Sequence, residues 1–85
     1  MRTKTLNFLD KLAERGENRF SLKMMRVKLI NIADIGRNEI TAYTKYLIDS
    51  NLVKKVGPEV FEINHELRLE LRREEDAKNS KKHNS

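Results

Sequence analysis

The sequence predicts a mostly α domain carrying a small β-hairpin, an α+β fold. Three observations point there. Apolar residues recur at spacings of three and four in three segments before residue 50. Two short β-rich runs, "LVKKV" and "EVFEI", flank Gly57-Pro58. The chain has 85 residues and no cysteine, so neither disulfide nor thiolate metal site helps hold it. At this length only about 60–65% of the unfolded surface is buried. Stability must come from helix and sheet packing, with or without a partner subunit.

The first helix is expected from Lys4 to Arg15. Leu6, Leu9 and Ala13 share a face, and Phe8 with Leu12 adds a neighbouring row. Thr3 or Thr5 is placed to cap it, and Gly16 ends it. "RFS", Arg19 to Ser21, is long enough for a bridge strand or a loop. Ser21 then caps a second helix, "LKMMRVKLINIA", with Leu22, Met25, Leu29 and Ile32 on one stripe. Met24, Val27 and Ile30 widen that stripe, which predicts a well-buried helix in which the methionines fill gaps.

"DIGR" breaks the pattern, with Gly36 supplying backbone freedom for a turn. Asn38 caps a third helix running to Asp49. Ile40, Tyr43 or Thr44, Leu47 and Ile48 face inward, while Thr41, Ala42 and Lys45 face outward. Asn51 suits the left-handed residue that closes it, the second choice after glycine. The hairpin follows, with a loop of up to four residues around Gly57-Pro58. After Ile63, alternation would suit a strand, but Asn64 is a cap residue and Glu, Leu and Arg are helix formers. A fourth helix from His65 to about Asp76 is therefore expected. The domain is read as residues 1–76, and residues 77–85, "AKNSKKHNS", as a disordered basic tail.

Net charge is +5. Residues 1–63 hold 12 Lys/Arg against 8 Asp/Glu, and residues 64–85 hold 6 against 5, so the excess sits in the folded part. Such a balance favours polyanions, nucleic acid first. The start "MRTKTLNFLDKLAERG" is too broken by charge for a signal peptide, and no apolar run approaches a membrane span. A cytoplasmic location is expected. Catalysis finds no motif: His65 and His83 are far apart, no glycine-rich phosphate loop occurs, and no metal-ligand spacing appears. No enzyme activity, cofactor, metal or small-molecule ligand is expected.

The order helix, bridge strand, helix, helix, hairpin, helix resembles the winged helix-turn-helix regulators of bacteria, archaea and their viruses. The resemblance runs from about Thr3 to Leu71 and is concentrated in "IGRNEITAYTKYLIDSNLVKKV". Leu47, the stretch Ile48-Asp49-Ser50, Asn51 and then Leu52-Val53 match the family's recognition-helix end and wing start. The chain departs from the pattern in having Asn51 where glycine is usual, a short wing from Lys54 to Glu59, and a longer linker before the third helix.

The resemblance implies binding of double-stranded DNA by a transcription regulator. The helix Asn38–Asp49 would enter the major groove and the wing would touch phosphates. Arg37 has two roles open, guanine O6/N7 or phosphate. Thr41 and Ala42 suit a thymine methyl, and Lys45 a guanine or a phosphate. Asn38 serves as cap or base reader, and the Tyr46 hydroxyl can reach a phosphate. Lys23, near a helix N-terminus, suits a phosphate, and Arg19 can join it. Lys54 and Lys55 point to opposite faces, either toward DNA or as protection of a strand edge. A homodimer reading two half-sites is expected, through Leu6 of the first helix and Leu67, Leu69 and Leu71 of the last. The competing reading is a winged-helix protein-docking module in a replication, segregation or transcription assembly, with no DNA contact.

Overall fold

The computed structural model describes residues 1–83. Its elements run α1 (Arg2–Glu14), β1 (Arg19–Phe20), α2 (Leu22–Asn31), α3 (Ile40–Asp49), β2 (Val53–Gly57), β3 (Val60–Ile63) and α4 (His65–His83). This is the order the sequence predicts, with Arg19–Phe20 taking the strand alternative: β1 joins the hairpin in a three-stranded antiparallel sheet, ordered β1-β3-β2.

The core is one cluster to which most elements contribute: Leu6, Phe8, Leu9 and Leu12 of α1, Phe20, Met25 and Leu29, then Ile35, Ile40, Tyr43 and Leu47, and finally Leu52, Val53, Phe61 and Ile63. Leu67 and Leu71 of α4 pack on it from outside. α4 is fastened to α1 by charge. Arg68 Nη1 donates to Asp10 Oδ1 at 2.6 Å, Arg72 Nε donates to Asp10 Oδ2 at 3.0 Å, and Arg72 Nη2 reaches Asn7 Oδ1 at 2.8 Å. Arg2 pairs with Glu74 and Glu75 nearer the C-terminal end.

Several local expectations hold. Ser21 adopts the extended conformation of a cap, φ −77° and ψ 166°, and its Oγ accepts from the Met24 N–H at 3.1 Å. Gly16 lies at φ 72°. Its N–H reaches the Ala13 carbonyl and the Glu17 N–H the Leu12 carbonyl, a Schellman close to α1. Asn51 is left-handed at φ 65°. Asn64 starts α4: its Oδ1 accepts from the Leu67 N–H at 3.3 Å, and its Nδ2 donates back to the Asn51 carbonyl at 2.9 Å.

Others are corrected. α1 starts at Arg2 with no side-chain cap; Thr5 lies inside it, buried, its hydroxyl turned back to the Met1 and Arg2 carbonyls. The left-handed residue of the α2–α3 linker is Asp34, at φ 55°, and not Gly36. Aspartate tolerates that region better than most residues, so a free glycine nearby did not have to supply it. Asn38 is not the α3 cap. Arg37, Asn38 and Glu39 form a turn, and Glu39, φ −104° and ψ −12°, precedes the helix without a side-chain bond. The hairpin loop is two residues, Pro58 and Glu59, because a bulge between Lys55 and Gly57 takes up the extra residue.

α4 runs to His83, past the expected end at Asp76. No glycine or proline follows Pro58, and Glu74 with Lys78 has the favourable i,i+4 spacing, so the helical run meets no stop signal. Of the expected disordered tail, residues 77–83 are helical, and residues 84 and 85 lie outside the described residues. The largest correction concerns α2, where only Met25 and Leu29 are buried. Leu22, Met24, Val27 and Ile30 are exposed by 39, 44, 38 and 39%.

Candidate nucleic-acid interface

α3 buries Ile40, Tyr43, Thr44 and Leu47. At about 100° per residue, that leaves Thr41, Ala42, Lys45 and Asp49 on the opposite side, and all four are exposed. Thr41 and Lys45 lie about 40° apart in projection, one turn along. Arg37 and Asn38, in the turn that feeds the helix, are exposed as well. Tyr43 belongs to the core, and Tyr46 is half-buried against it, which leaves the second tyrosine the freer of the two. The N-terminal end of the outward face therefore carries a guanidinium, an amide, a hydroxyl, a methyl and an ammonium. This set can donate to base acceptors and touch a thymine methyl. Two carboxylates are exposed with them: Glu39, in the entrance turn beside Arg37 and Asn38, and Asp49, at the far end of the helix.

The hairpin register separates its two lysines. Val53 pairs with Ile63 and Lys55 with Phe61 on one face, whereas Lys54 pairs with Glu62 on the other. Lys55 shares a shallow cleft with Ser21, Leu22, Lys23, Pro58, Glu59 and Phe61. That cleft brings Lys23, from the first turn of α2, and Lys55, from the wing-like hairpin, to one place. Both are exposed, and neither has an ion-pair partner among the described residues.

Lys54 stands elsewhere. Glu62 lies across from it, and it lines a second cleft with Asn51, Asn64, Glu66, Leu67 and Glu70, so its neighbourhood is acidic, although it is exposed and makes no ion pair among the described residues. Arg19 is committed to its own sheet neighbour: Arg19 Nε donates to Glu62 Oε2 at 2.8 Å. Of the ten expected contact residues, Arg19 is the one held in an ion pair among the described residues. The residue that sequence reasoning passed over is Arg26, exposed on α2 and without an ion-pair partner among the described residues. Lys28, its neighbour on the same helix, is taken by Glu17 at 2.7 Å. The i,i+2 spacing of Arg26 and Lys28 gave no hint of this, because the partner comes from the α1–β1 turn.

The four expected dimer residues divide. Leu6 is fully enclosed by its own chain and offers nothing to a partner, because α1 is the centre of this small core and not its edge. Leu67 and Leu71 are spent on packing α4 to the core. Leu69 is exposed by 47%.

Among the described residues no helix is long and apolar enough to cross a membrane, and no group of three or more His, Cys, Asp or Glu could hold a metal ion. Comparison with protein families, with curated proteins and with solved structures gave no match.

Proposed function

We propose that this chain is a sequence-specific double-stranded DNA-binding protein of the winged helix-turn-helix kind, acting in transcription regulation. The observation that carries this reading is the outward face of α3: Thr41, Ala42 and Lys45 are exposed, with Arg37 and Asn38 exposed at its entrance. An α-helix presenting short polar and cationic side chains at its N-terminal end has the size and chemistry for the major groove. The element order and the hairpin beside α3 support it further. In this reading Arg37, Thr41 and Ala42 read bases. Lys45, Lys23 and Lys55 neutralise phosphates, and the Tyr46 hydroxyl reaches one more. The hairpin loop of Pro58 and Glu59 is short, so the hairpin touches the backbone and does not enter the minor groove.

A single module has a small footprint, and two copies on two half-sites raise both affinity and specificity. Leu69 is the α4 leucine left for such a pairing. A contact built around one leucine is thin, so the copies would meet on the DNA.

The test is selection of bound duplexes from a random pool at two salt concentrations. The expected outcome is a recurrent sequence at the higher salt. Affinity should fall with a log–log slope of about −2.7 per copy, for the three phosphates neutralised by Lys45, Lys23 and Lys55 at about 0.9 each. Absence of duplex binding even at low salt would overturn the reading in favour of a protein-docking module. Binding without a recurrent sequence would reduce it to non-specific attachment.

A further inference from the structure

The outward face of α2 carries an apolar stripe among exposed polar residues. Met25 and Leu29, the two buried residues, lie about 40° apart, and Val27 projects about 180° from their midpoint. Met24 and Ile30 flank Val27 at about 60° on either side. The stripe Met24–Val27–Ile30 thus crosses the side of α2 directly opposite the core, and each of the three is exposed by 38% or more. Leu22, exposed by 39%, projects about 40° from the buried midpoint and stands apart from the stripe. Scattered apolar residues need no explanation, but three along one ridge of a ten-residue helix do.

The charge around the stripe has one sign. α2 contains Lys23, Arg26 and Lys28 and no carboxylate. Lys28 is neutralised by Glu17, whereas Lys23 and Arg26 are exposed and have no ion-pair partner among the described residues. We propose that this face docks an amphipathic helix of another protein, with apolar residues at i, i+3, i+4 and i+7 flanked by Asp or Glu. The three-residue spacing of Met24, Val27 and Ile30 offers one oblique ridge that such a helix can straddle. The cations at the rim select acidic flanks and reject basic ones.

A second copy of the chain fits this face poorly. Two α2 helices packed across Val27 would bring Arg26 close to its own counterpart. The apolar stripe offers on the order of 300 Å², well under the roughly 800 Å² per partner of a stable dimer. A transient contact with an acid-flanked helix needs less area and gains from the charge. The proposal does not depend on DNA binding: the two readings share Lys23, but Met24, Arg26, Val27 and Ile30 take no part in the DNA reading.

The experiment uses the full chain, isotope-labelled for NMR, with two synthetic helices of about 18 residues. Both carry leucines at i, i+3, i+4 and i+7; one has glutamate flanks and the other lysine flanks. The glutamate-flanked helix is expected to saturate, with shift changes centred on Met24, Val27 and Ile30, and its twin to bind about tenfold more weakly or worse. V27E should weaken binding about tenfold and R26E about threefold, each at an exposed position that leaves the thermal melt unchanged. Four results would overturn the proposal: no saturation by about 1 mM, equal binding of the twins, shifts centred away from α2, or a dimer in sedimentation that V27E dissolves.

Discussion

α2 and α3 have the same length, ten residues each, and they pack against one another, yet their outer faces differ in kind. α3 buries four side chains and turns Thr41, Ala42, Lys45 and Asp49 outward. α2 buries two and turns Met24, Val27 and Ile30 outward. Amphipathicity explains α3 completely: its apolar residues are the ones the core uses. It does not explain α2, whose apolar residues outnumber the core positions available to them. In a domain of this size the neighbours cover about one face of each helix, so a helix with apolar residues on more than one face keeps part of that surface uncovered. The comparison therefore separates two jobs. One helix offers hydrogen-bonding groups to a polar surface, and the other offers an uncommitted apolar ridge.

The largest expected effects test whether the two inner faces are equivalent. Leu29→Ala in α2 and Leu47→Ala in α3 each remove a fully enclosed side chain, and each should cost about 2–5 kcal/mol in urea unfolding. Val27→Ala, on the far side of α2, should stay within about 0.5 kcal/mol. A cost at Val27 near that at Leu29 would mean the outer face of α2 is covered after all, and the contrast between the helices would disappear.

The next effects concern binding. Arg37→Ala and Thr41→Ala should relax sequence preference in the selected duplex, costing roughly 1–3 kcal/mol each where a bidentate or packed base contact is lost. Lys55→Ala should weaken all duplexes evenly and lower the salt slope by about 1. Lys54→Ala should do less than Lys55→Ala, because Lys54 lies across from Glu62 and shares a cleft with Glu66 and Glu70, whose charge repels a phosphate. Val27→Ser on α2 should leave DNA affinity unchanged. If Arg37, Thr41 and Lys55 all behave alike in competition gel-shift assays, α3 contributes charge and not reading. If Val27→Ser also weakens DNA binding, the two helices do not divide the work.

What could be read from the chain beforehand follows the same division. The inward set of α3, the Ser21 cap, the left-handed Asn51, the choice of helix over strand after Asn64 and the opposed faces of Lys54 and Lys55 are all local. Each depends on residues within about one turn or one strand pair, where spacing decides direction. What stayed hidden needed knowledge of a distant neighbour. Whether Leu6 is centre or edge depends on the helix and sheet that close over it. The loss of Arg19 to Glu62 depends on pairing across 43 positions, and the clamp of Arg68 on Asp10 on pairing across 58. The exposure of Met24, Val27 and Ile30 is the plainest case. Periodicity counts apolar residues on a helix, but it does not say how many the rest of a small domain has the surface to cover.

The smallest expected effect lies at the helix entrances. Ser21 has the extended backbone of a cap and its hydroxyl accepts from the Met24 N–H, so Ser21→Ala should cost about 1 kcal/mol in urea unfolding. Glu39, in the equivalent place before α3, has helical backbone angles and no side-chain bond to the first turn, so Glu39→Ala should change stability by less than about 0.5 kcal/mol. An entrance closed by no side chain costs some helix stability, but it keeps the first-turn N–H groups open to water or to a phosphate oxygen. Removing the Glu39 carboxylate should therefore help DNA affinity slightly while leaving the unfolding midpoint in place. If Glu39→Ala instead destabilises the protein as much as Ser21→Ala does, the carboxylate is holding the helix end together. The entrance to α3 would then be a closed structural joint, no different in kind from the entrance to α2.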